Sequence, residues 1–390
     1  MRKVLAPLVL FAALGALAAT KTTVEQLQSL LADLHQQNKS DEAIANRLKD
    51  VSLTEQLTPS TLANIAQSKP GPLTTSQLRI LVAESAILPP PASELPSDPT
   101  PGHDAQTVII NRAIDYIVHQ NSQLPRLSAQ KETTRFQNAV NQVQTETGTY
   151  SNFAGGNPGN AGPSQQYLKM QDAHTMTVQI DKGIELPPSS KKSRPAVQPG
   201  EISPSGGGLV LGVILMDASK NDLHFVRWQS IDGKKAAIFS FTVDKDNSHY
   251  KVSYCCFPVI ENIGGAGSIN ASPTMPAIMA QPGGTSATFK PFTANPGYHG
   301  EFFIDPDTGV IVRVITSAEL KPTDIVQQEN IRIDYGTANI DGKPLIVPKR
   351  SFTLTELAPN GDAFVKYSLR RTIIEAAYKN YTLADVPKER

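Results

Sequence analysis

The sequence predicts an α+β protein, in which a region of short helices precedes a large, curved antiparallel β-sheet of half-barrel form. Three observations predict this class. The first third of the chain carries apolar residues three or four positions apart, which is the spacing of a helix face. The second half carries alternating polar and apolar runs separated by turn-forming dipeptides, as strands joined by hairpins do. The 30 prolines and 26 glycines indicate many turns and linkers.

Charge and length narrow the classes of function. The 36 basic and 36 acidic side chains leave no formal net charge. Nucleic-acid binding favours a concentrated positive field, so no nucleic-acid partner is predicted. A chain of 390 residues is long enough for two domains with their own cores, and neither disulfides nor metals are required to hold them.

Residues 1–19 are typical of a secretory signal peptide. Arg2 and Lys3 supply the positive start, residues 4–17 are apolar, and Ala16 and Ala18 suit a cleavage site. The apolar run is short for a membrane span, no cysteine follows it to carry a lipid, and no later stretch is long and apolar enough to cross a bilayer. We therefore expect an exported protein, periplasmic or extracellular, that is cleaved near Ala18 and has no transmembrane segment in its mature chain.

Residues 20–88 are predicted to form the helical region. Ser40 can cap its second helix, because a serine oxygen accepts a backbone N–H of the first turn. Pro59 is expected to start a third helix, and Thr74 or Thr75 to cap a fourth. Short helices at these intervals are typical of a small helical cap, and an array that recognises a partner is the alternative.

The middle of the chain is predicted to change from linker to helix to strand. Residues 89–103 form a proline-rich linker, expected to be extended and solvated. Residues 104–165 are assigned to a helix, from about 104 to 121, and to a connecting segment. Within that segment, residues 131–136 have the character of a strand.

Residues 166–378 are assigned to the antiparallel half-barrel, with long loops at 183–208 and 258–297 and a C-terminal tail at 379–390. The dipeptides Asp232-Gly233 and Asp341-Gly342 each separate two strand-like runs, and such pairs adopt the positive φ angles of two-residue hairpin turns. About nine strands follow one another in this way. Sequential hairpins predict a strongly curved antiparallel sheet.

The predicted N-terminal helices and four further stretches resemble a family of uncharacterised bacterial secreted proteins, so the resemblance covers nearly the whole mature chain. The four stretches are residues 124–136, 200–218, 239–256 and 298–314, which read LPRLSAQKETTRF, GEISPSGGGLVLGVILMDA, FSFTVDKDNSHYKVSYCC and YHGEFFIDPDTGVIVRV. The family carries no established activity, so this resemblance implies no functional residue. More loosely, the β part is similar to the periplasmic lipoprotein-carrier fold. That resemblance implies a curved half-barrel closed by helices around an apolar cavity, without catalytic residues.

Several predicted strands are apolar on both faces, which indicates burial on both sides by a helix or by a bound apolar molecule. In residues 310–315, Arg313 is the only charged side chain. We therefore predict that a lipid or an acyl chain binds between the curved sheet and the helices. The residues predicted to line this site are Trp228, Phe239, Phe241, Tyr254, Ile331, Ile333 and Tyr335.

Cys255 and Cys256 are the two cysteines of the chain. In an exported protein, a pair of cysteines suggests a disulfide. Neighbouring Cα atoms lie only about 3.8 Å apart, which is below the usual disulfide range. The alternatives are a strained vicinal disulfide and two structural thiols on opposite faces of a strand, and both are favoured over a redox or metal role.

No motif in the chain specifies a reaction. The sequence has no HExxH, no GxSxG and no phosphate-binding glycine loop. His249 and His299 lie on predicted strands beside charged residues, but each needs a distant partner to form an acid–base pair. We predict no catalytic residue, no metal and no cofactor, and we favour a non-enzymatic binding protein. The alternatives are a cell-envelope protein-interaction module without a small ligand and, second, an exported hydrolase.

Overall fold

The computed structural model describes residues 20–119, 123–138, 167–182, 184–186, 202–204, 211–220, 223–259, 288–357 and 370–384. In these ranges the fold is α+β, as predicted, and its large antiparallel sheet does not close on itself. The helices are α1 (Val24–Gln36), α2 (Asp41–Leu48), α3 (Pro59–Ala66), α4 (Pro72–Glu84), α5 (His103–His119) and α6 (Leu211–Ala218).

The strands are β1 (Thr20–Thr22), β2 (Val51–Leu53), β3 (Leu127–Asn138), β4 (Leu168–Asp181), β5 (Ile184–Glu185), β6 (Ile202–Pro204), β7 (His224–Ile231), β8 (Lys234–Val243), β9 (Val252–Val259), β10 (Thr288–Ala294), β11 (Tyr298–Ile304), β12 (Ile311–Ala318), β13 (Val326–Ile340), β14 (Lys343–Leu357) and β15 (Arg370–Leu383). Ten of them form the main sheet, in the order β5-β4-β3-β15-β14-β13-β12-β11-β8-β7. Every neighbouring pair in it is antiparallel.

The main sheet differs from the predicted meander in two places. Strand β9, which was expected to continue the meander, lies in a separate sheet of order β10-β9-β6. Strand β3 comes from the segment expected to connect helix and sheet, and it pairs with β15 and β4 in the middle of the main sheet. The C-terminal strand β15 runs to Leu383, so residues 379–383, which were assigned to a tail, continue the sheet.

The helical region confirms two predicted helix starts and contradicts the third. Ser40 caps α2, and Pro59 is the first residue of α3. The predicted cap at Thr74 or Thr75 is wrong, because α4 begins at Pro72. Asp41 of α2 supplies the cap from a distance, since its carboxylate accepts the backbone N–H groups of Leu73 and Thr74, each at 2.9 Å. Hydrogen bonds from Thr74 and Leu73 lower the pKa of Asp41.

Helices cover both faces of the main sheet. Helix α4 packs on the face that carries Phe136 and Phe352, which we call the front face. Phe303 also belongs to this face. It pairs with Arg313, Arg313 pairs with Asp334, and Asp334 pairs with Arg350 of β14. Arg350 is two residues from Phe352, so both lie on the same face of the sheet. Helices α5 and α6 pack on the opposite, back face together with β9, and the main hydrophobic core lies there. Helix α4 covers β3, β4, β14 and β15 on the front face. Of the doubly apolar strand at residues 310–315, the back face is buried in the main core, to which Ile311 and Val314 belong.

The proline-rich linker, residues 89–103, is bonded to the outer edge of the main sheet. The indole Nε1 of Trp228 donates a hydrogen bond to the carbonyl of Pro99 at 2.9 Å. The ammonium of Lys235 lies 2.7 Å from the carboxylate of Asp98 and 4.0 Å from the centre of the Trp228 ring. Because α4 lies on the front face and α5 on the back face, the linker carries the chain around the β7–β8 edge.

Gly309 and Gly342 both have positive φ, 75° and 78°, but only one of them lies against another element. A Cβ atom at Gly342 would meet nothing within 4 Å, whereas at Gly309 it would lie 2.4 Å from the backbone of Arg112 in α5. We expect Gly342→Ala to lower the free energy of unfolding by about 1 kcal/mol, the cost of a left-handed residue. Gly309→Ala should cost about 3 kcal/mol, because α5 must also move. Urea unfolding measures both, and equal losses would contradict the close contact with α5.

Candidate ligand-binding cleft

A cleft of about 440 Å³ lies between the front face and the segment that follows α4. Its volume is within the range of about 300–1,000 Å³ that is typical of small-molecule sites. Its roof comes from the helical region and the start of the proline-rich linker, and its floor comes from β7, β8, β11 and β12. The roof residues are Gln56, Ile87, Leu88, Pro89 and Pro90. The floor includes Arg227, Gln229, Ser240, Thr242, His299, Glu301, Phe303, Arg313, Ile315 and Ser317.

Backbone hydrogen bonds hold the roof in place. The N–H of Gln56 donates to the carbonyl of Pro89 at 2.7 Å, and the N–H of Leu57 donates to the hydroxyl of Ser85 at 3.0 Å. Pro89 and Pro90 have fixed φ angles and no N–H groups, so this stretch is stiff and presents an apolar surface. The roof is therefore preformed and largely apolar.

The floor carries a paired charge and an aromatic ring between two guanidinium groups. Arg227 donates two hydrogen bonds to the carboxylate of Glu301, at 2.8 and 2.9 Å. The ring of Phe303 lies 6.0 Å from the guanidinium of Arg227 and 5.2 Å from that of Arg313. A bidentate pair of this kind fixes the side chains that make it, so the floor presents ordered polar groups.

Arg313 connects the floor to a buried ionic network in β13. Its Nε donates to Oδ1 of Asp334. Arg332 donates to both oxygens of the same carboxylate, from Nε at 2.9 Å and from Nη2 at 2.8 Å. Its Nη1 donates to the carbonyl of Ala86 at 2.6 Å. One carboxylate thus serves two arginines, and the network fastens the end of the helical region to the sheet.

The front face continues this pattern away from the cleft. The guanidinium of Arg350 lies 4.5 Å from the ring of Phe352 and donates to the carboxylate of Glu375. Arg79 of α4 donates to the hydroxyl of Thr134 at 2.9 Å and reaches Glu375 at 3.4 Å. These contacts join α4 to the centre of the sheet and lie outside the lining of the cleft.

The structure places all seven residues predicted to bind an apolar ligand in the main core or against it, and helices α5 and α6 cover that core. Of the seven, Phe241 also belongs to the lining of the cleft. Their role in ligand binding stays a prediction. The four that are buried are Phe239, Phe241, Tyr254 and Ile331. The three that are partly buried are Trp228, Ile333 and Tyr335.

Sequence reasoning missed the charged floor of the cleft. Arg227, Glu301 and Arg313 were not predicted as site residues. One signal was present, because Arg313 is the single charge in an apolar strand, and a charge in such a strand needs a partner. Its partner lies in β13, and pairing between strands cannot be read from spacing along the chain.

A second polar cluster lies on the back-face side, around Asp217 of α6. This fully buried carboxylate is 2.7 Å from Nδ1 of His249 and accepts the backbone N–H of His249 at 3.0 Å and the hydroxyl of Tyr298 at 3.0 Å. A buried carboxylate that orients an exposed imidazole is found at acid–base sites. These hydrogen bonds join α6 to β11 and to the segment that precedes β9.

The described residues bear to different degrees on metals, membrane spans and the cysteines. Where the structure is described, no three His, Cys, Asp or Glu side chains lie close enough to hold a metal ion. In the same ranges no helix has the length and apolar character of a membrane span. Cys255 and Cys256 lie in β9, but their side chains are outside the described residues, as is the predicted signal peptide at 1–19. The vicinal disulfide, its alternative of two structural thiols, and export of the protein therefore stay predictions.

Comparisons of the chain with protein-family models, with curated proteins and with solved structures found no match. The resemblances to a secreted family and to the lipoprotein-carrier fold therefore stay predictions.

Proposed function

We propose that this protein is an exported, non-enzymatic binding protein that holds a small molecule with an apolar part in the cleft. The observation that carries the proposal is the cleft itself, with an apolar roof of Ile87, Leu88, Pro89 and Pro90 facing an ordered polar floor. Ligand sites combine apolar walls with a few placed polar groups in this way. The ligand then lies between helices and sheet, as the sequence predicts. It lies on the front face, however, and not in the back-face core, to which the seven predicted lining residues belong or against which they pack.

Preorganisation supports the proposal. The floor side chains Arg227 and Glu301 are held by their mutual bidentate contact, and the roof is held by the bond from Gln56 to Pro89. Groups that are already ordered lose little conformational entropy when a ligand binds, so more of the contact energy appears as affinity. A site on the front face also agrees with the packing of the back face, where the protein's own side chains occupy the core.

Leu88→Trp should close the cleft, because the indole would occupy the space beneath the roof. We expect the wild-type protein to bind the neutral apolar dye Nile red, and Leu88→Trp to weaken that binding at least about tenfold. Ser97→Trp is the matched control, since Ser97 is an exposed residue of the linker and outside the cleft lining. Fluorescence titration measures all three proteins, and far-ultraviolet circular dichroism checks that each is folded.

Native mass spectrometry with solvent extraction tests the same proposal without a probe. Wild-type protein purified from the exported compartment should carry an extra mass that extracts as a small molecule, and Leu88→Trp should carry less of it. A bare-chain mass, together with equal dye binding by Leu88→Trp and Ser97→Trp, would reject the cleft as a ligand site. That result would favour the protein-interaction module.

A further inference from the structure

Arg313 has an incomplete set of partners. It is only 7% exposed, and a guanidinium carries five N–H donors. In the described residues it bonds through Nε alone, to Asp334, whereas Arg332 uses Nε, Nη1 and Nη2. Because Arg313 lines the cleft, an acceptor on a ligand can reach the Nη atoms that the protein leaves without a described partner.

The charges beneath the cleft do not cancel. Arg227 and Glu301 neutralise each other across the floor. Arg313 and Arg332 carry two positive charges against the single carboxylate of Asp334. Asp232 also acts on Arg332 through its charge, but Asp334 is the one carboxylate described in contact with Arg313. The positive charge of Arg313 is therefore only partly compensated next to the cleft, and partial burial strengthens its attraction for an anion relative to open water.

The chemistry of a guanidinium indicates which anion it would take. Its parallel N–H groups match the oxygens of a carboxylate or a phosphate, and Phe303 packs against Arg313 at 5.2 Å. The roof above, at Ile87 and Leu88, is apolar. A ligand that satisfies both surfaces has an anionic oxygen-acid group at one end and an apolar chain at the other.

We infer that the cleft binds an anionic amphiphile, with its carboxylate or phosphate oxygens on the Nη atoms of Arg313 and its apolar chain under Ile87 and Leu88. This inference rests on the proposed function and adds the class of head group. It also assigns Arg313, rather than the aromatic residues of the main core, as the residue that determines specificity.

Displacement of Nile red by three compounds with the same alkyl chain tests the head group. Decanoate, decyl phosphate and decanol are titrated below their micelle-forming concentrations against the wild-type protein. We expect the better of the two anions to bind at least about tenfold more tightly than the alcohol, because a charge-assisted bidentate contact is made only by an anion. The tighter of decanoate and decyl phosphate identifies the head group.

Two substitutions in the cleft should change the preference for an anion over the alcohol in opposite directions. Arg313→Gln should bring the affinities of anion and alcohol to within about twofold of each other. Glu301→Gln leaves the charge of Arg227 uncompensated, so it should strengthen anion binding by about threefold or more without strengthening decanol binding. Arg350→Gln is the control, because Arg350 makes similar contacts, to Phe352 and Glu375, outside the cleft, and it should keep the wild-type preference.

The possible results distinguish an error in the inferred head group from an error in the proposed binding site. Equal binding of all three compounds by the wild-type protein, or weaker anion binding by Glu301→Gln, would overturn the inference and leave the proposed function standing. Displacement by none of the compounds, together with dye binding that is unchanged in Leu88→Trp, would overturn both. Because Glu301→Gln is expected to gain affinity, misfolding of Arg313→Gln cannot by itself produce the expected pattern.

Discussion

Asp334→Asn is expected to lower the free energy of unfolding by about 3–5 kcal/mol, which is the usual cost of leaving buried charges without their partner. Arg332 is 4% exposed and Arg313 is 7% exposed, and both guanidinium groups bond to this one carboxylate. An asparagine at this position has the same shape, but it carries no negative charge and places an amide N–H group among donors. Two like charges would then lie close together in the protein without the carboxylate that bonds to both of them.

The effect of this substitution should depend on pH. Burial opposes ionisation of Asp334, but the charges of Arg332 and Arg313 and their hydrogen bonds outweigh burial and hold the pKa of this carboxyl below its usual range. A depressed carboxyl pKa stabilises the fold above the pKa of the unfolded chain, and this stabilisation is lost as the pH falls through the folded value. The difference between wild type and Asp334→Asn should therefore be complete at pH 7 and shrink below about pH 4.

Urea unfolding at pH 7, followed by circular dichroism, measures the loss without the screening that guanidinium chloride would add. Asp172→Asn is the matched control. Asp172 contacts Arg135 at 3.2 Å, but its side chain is 43% exposed, so its loss should be below about 1 kcal/mol. If Asp334→Asn costs no more than Asp172→Asn, the network does not hold the helical region to the sheet.

A double variant tests whether the cost arises from charges left unpaired. Arg332→Met removes one of the two guanidinium groups that Asp334→Asn leaves behind. The loss in the double variant should be smaller than the sum of the two single losses by more than about 1 kcal/mol, because the residues belong to one network. Additive losses would indicate that packing around each side chain, and not their shared charge, sets the cost.

The parts of the fold that the sequence predicts correctly are those with local causes. Asp232-Gly233 joins β7 to β8 with φ angles of 49° and 77°, as an Asp-Gly hairpin turn requires. Ser40 caps α2 through a contact three residues away. The class of the fold and most of the hairpins follow from contacts of this short range.

The errors lie where distant residues determine the structure. The start of α4 is set by Asp41, more than thirty residues earlier. Strand β3 enters the sheet between β4 and β15, and β15 lies at the other end of the chain. Neither contact leaves a signal in local spacing or turn chemistry. The first depends on how α2 packs against α4, and the second on how strands from distant parts of the chain pair.

The cleft and the predicted lining residues lie mostly apart for a related reason. Apolar residues on both faces of a strand predict that both faces are covered, but they do not say which covering is a helix and which is a ligand. Around Phe239 and Ile331 the covering is α5 and α6. The cleft lies instead where charged side chains such as Arg227 and Glu301 meet across strands, and their sequence positions, 74 residues apart, give no indication that they pair.

Glu329 is a carboxyl group inside the main core, and it should limit stability at alkaline pH. It is 1% exposed. Its Oε1 accepts one long hydrogen bond, 3.5 Å, from the hydroxyl of Tyr250, and its Oε2 has no partner among the described residues. Burial raises the pKa of Glu329 from 4.5 to about 8, although the bond from Tyr250 opposes the shift. The folded protein therefore keeps this carboxyl protonated at pH 7.

The sign of the effect on stability follows from the two protonation states. Between pH 4.5 and about 8, the folded protein holds a proton on Glu329 that the unfolded chain releases. Unfolding is then favoured by rising pH, so stability is greatest below the unfolded pKa and is lost as the pH rises through the folded value. One pKa unit corresponds to about 1.4 kcal/mol, so the upper limit of the loss is about 5 kcal/mol.

Glu329→Gln removes the charge and keeps the shape, so it should stabilise the protein at high pH and change little at low pH. We expect a gain of roughly 3 kcal/mol at pH 9 and a difference within about 1 kcal/mol at pH 5, measured by urea unfolding at both values. Glu132→Gln is the control, because Glu132 pairs with Lys379 and its side chain is 44% exposed, and it should show no comparable gain. A Glu329→Gln variant that is no more stable than wild type at pH 9 would mean that water or a cation reaches this carboxyl in the folded protein and that it is ionised there.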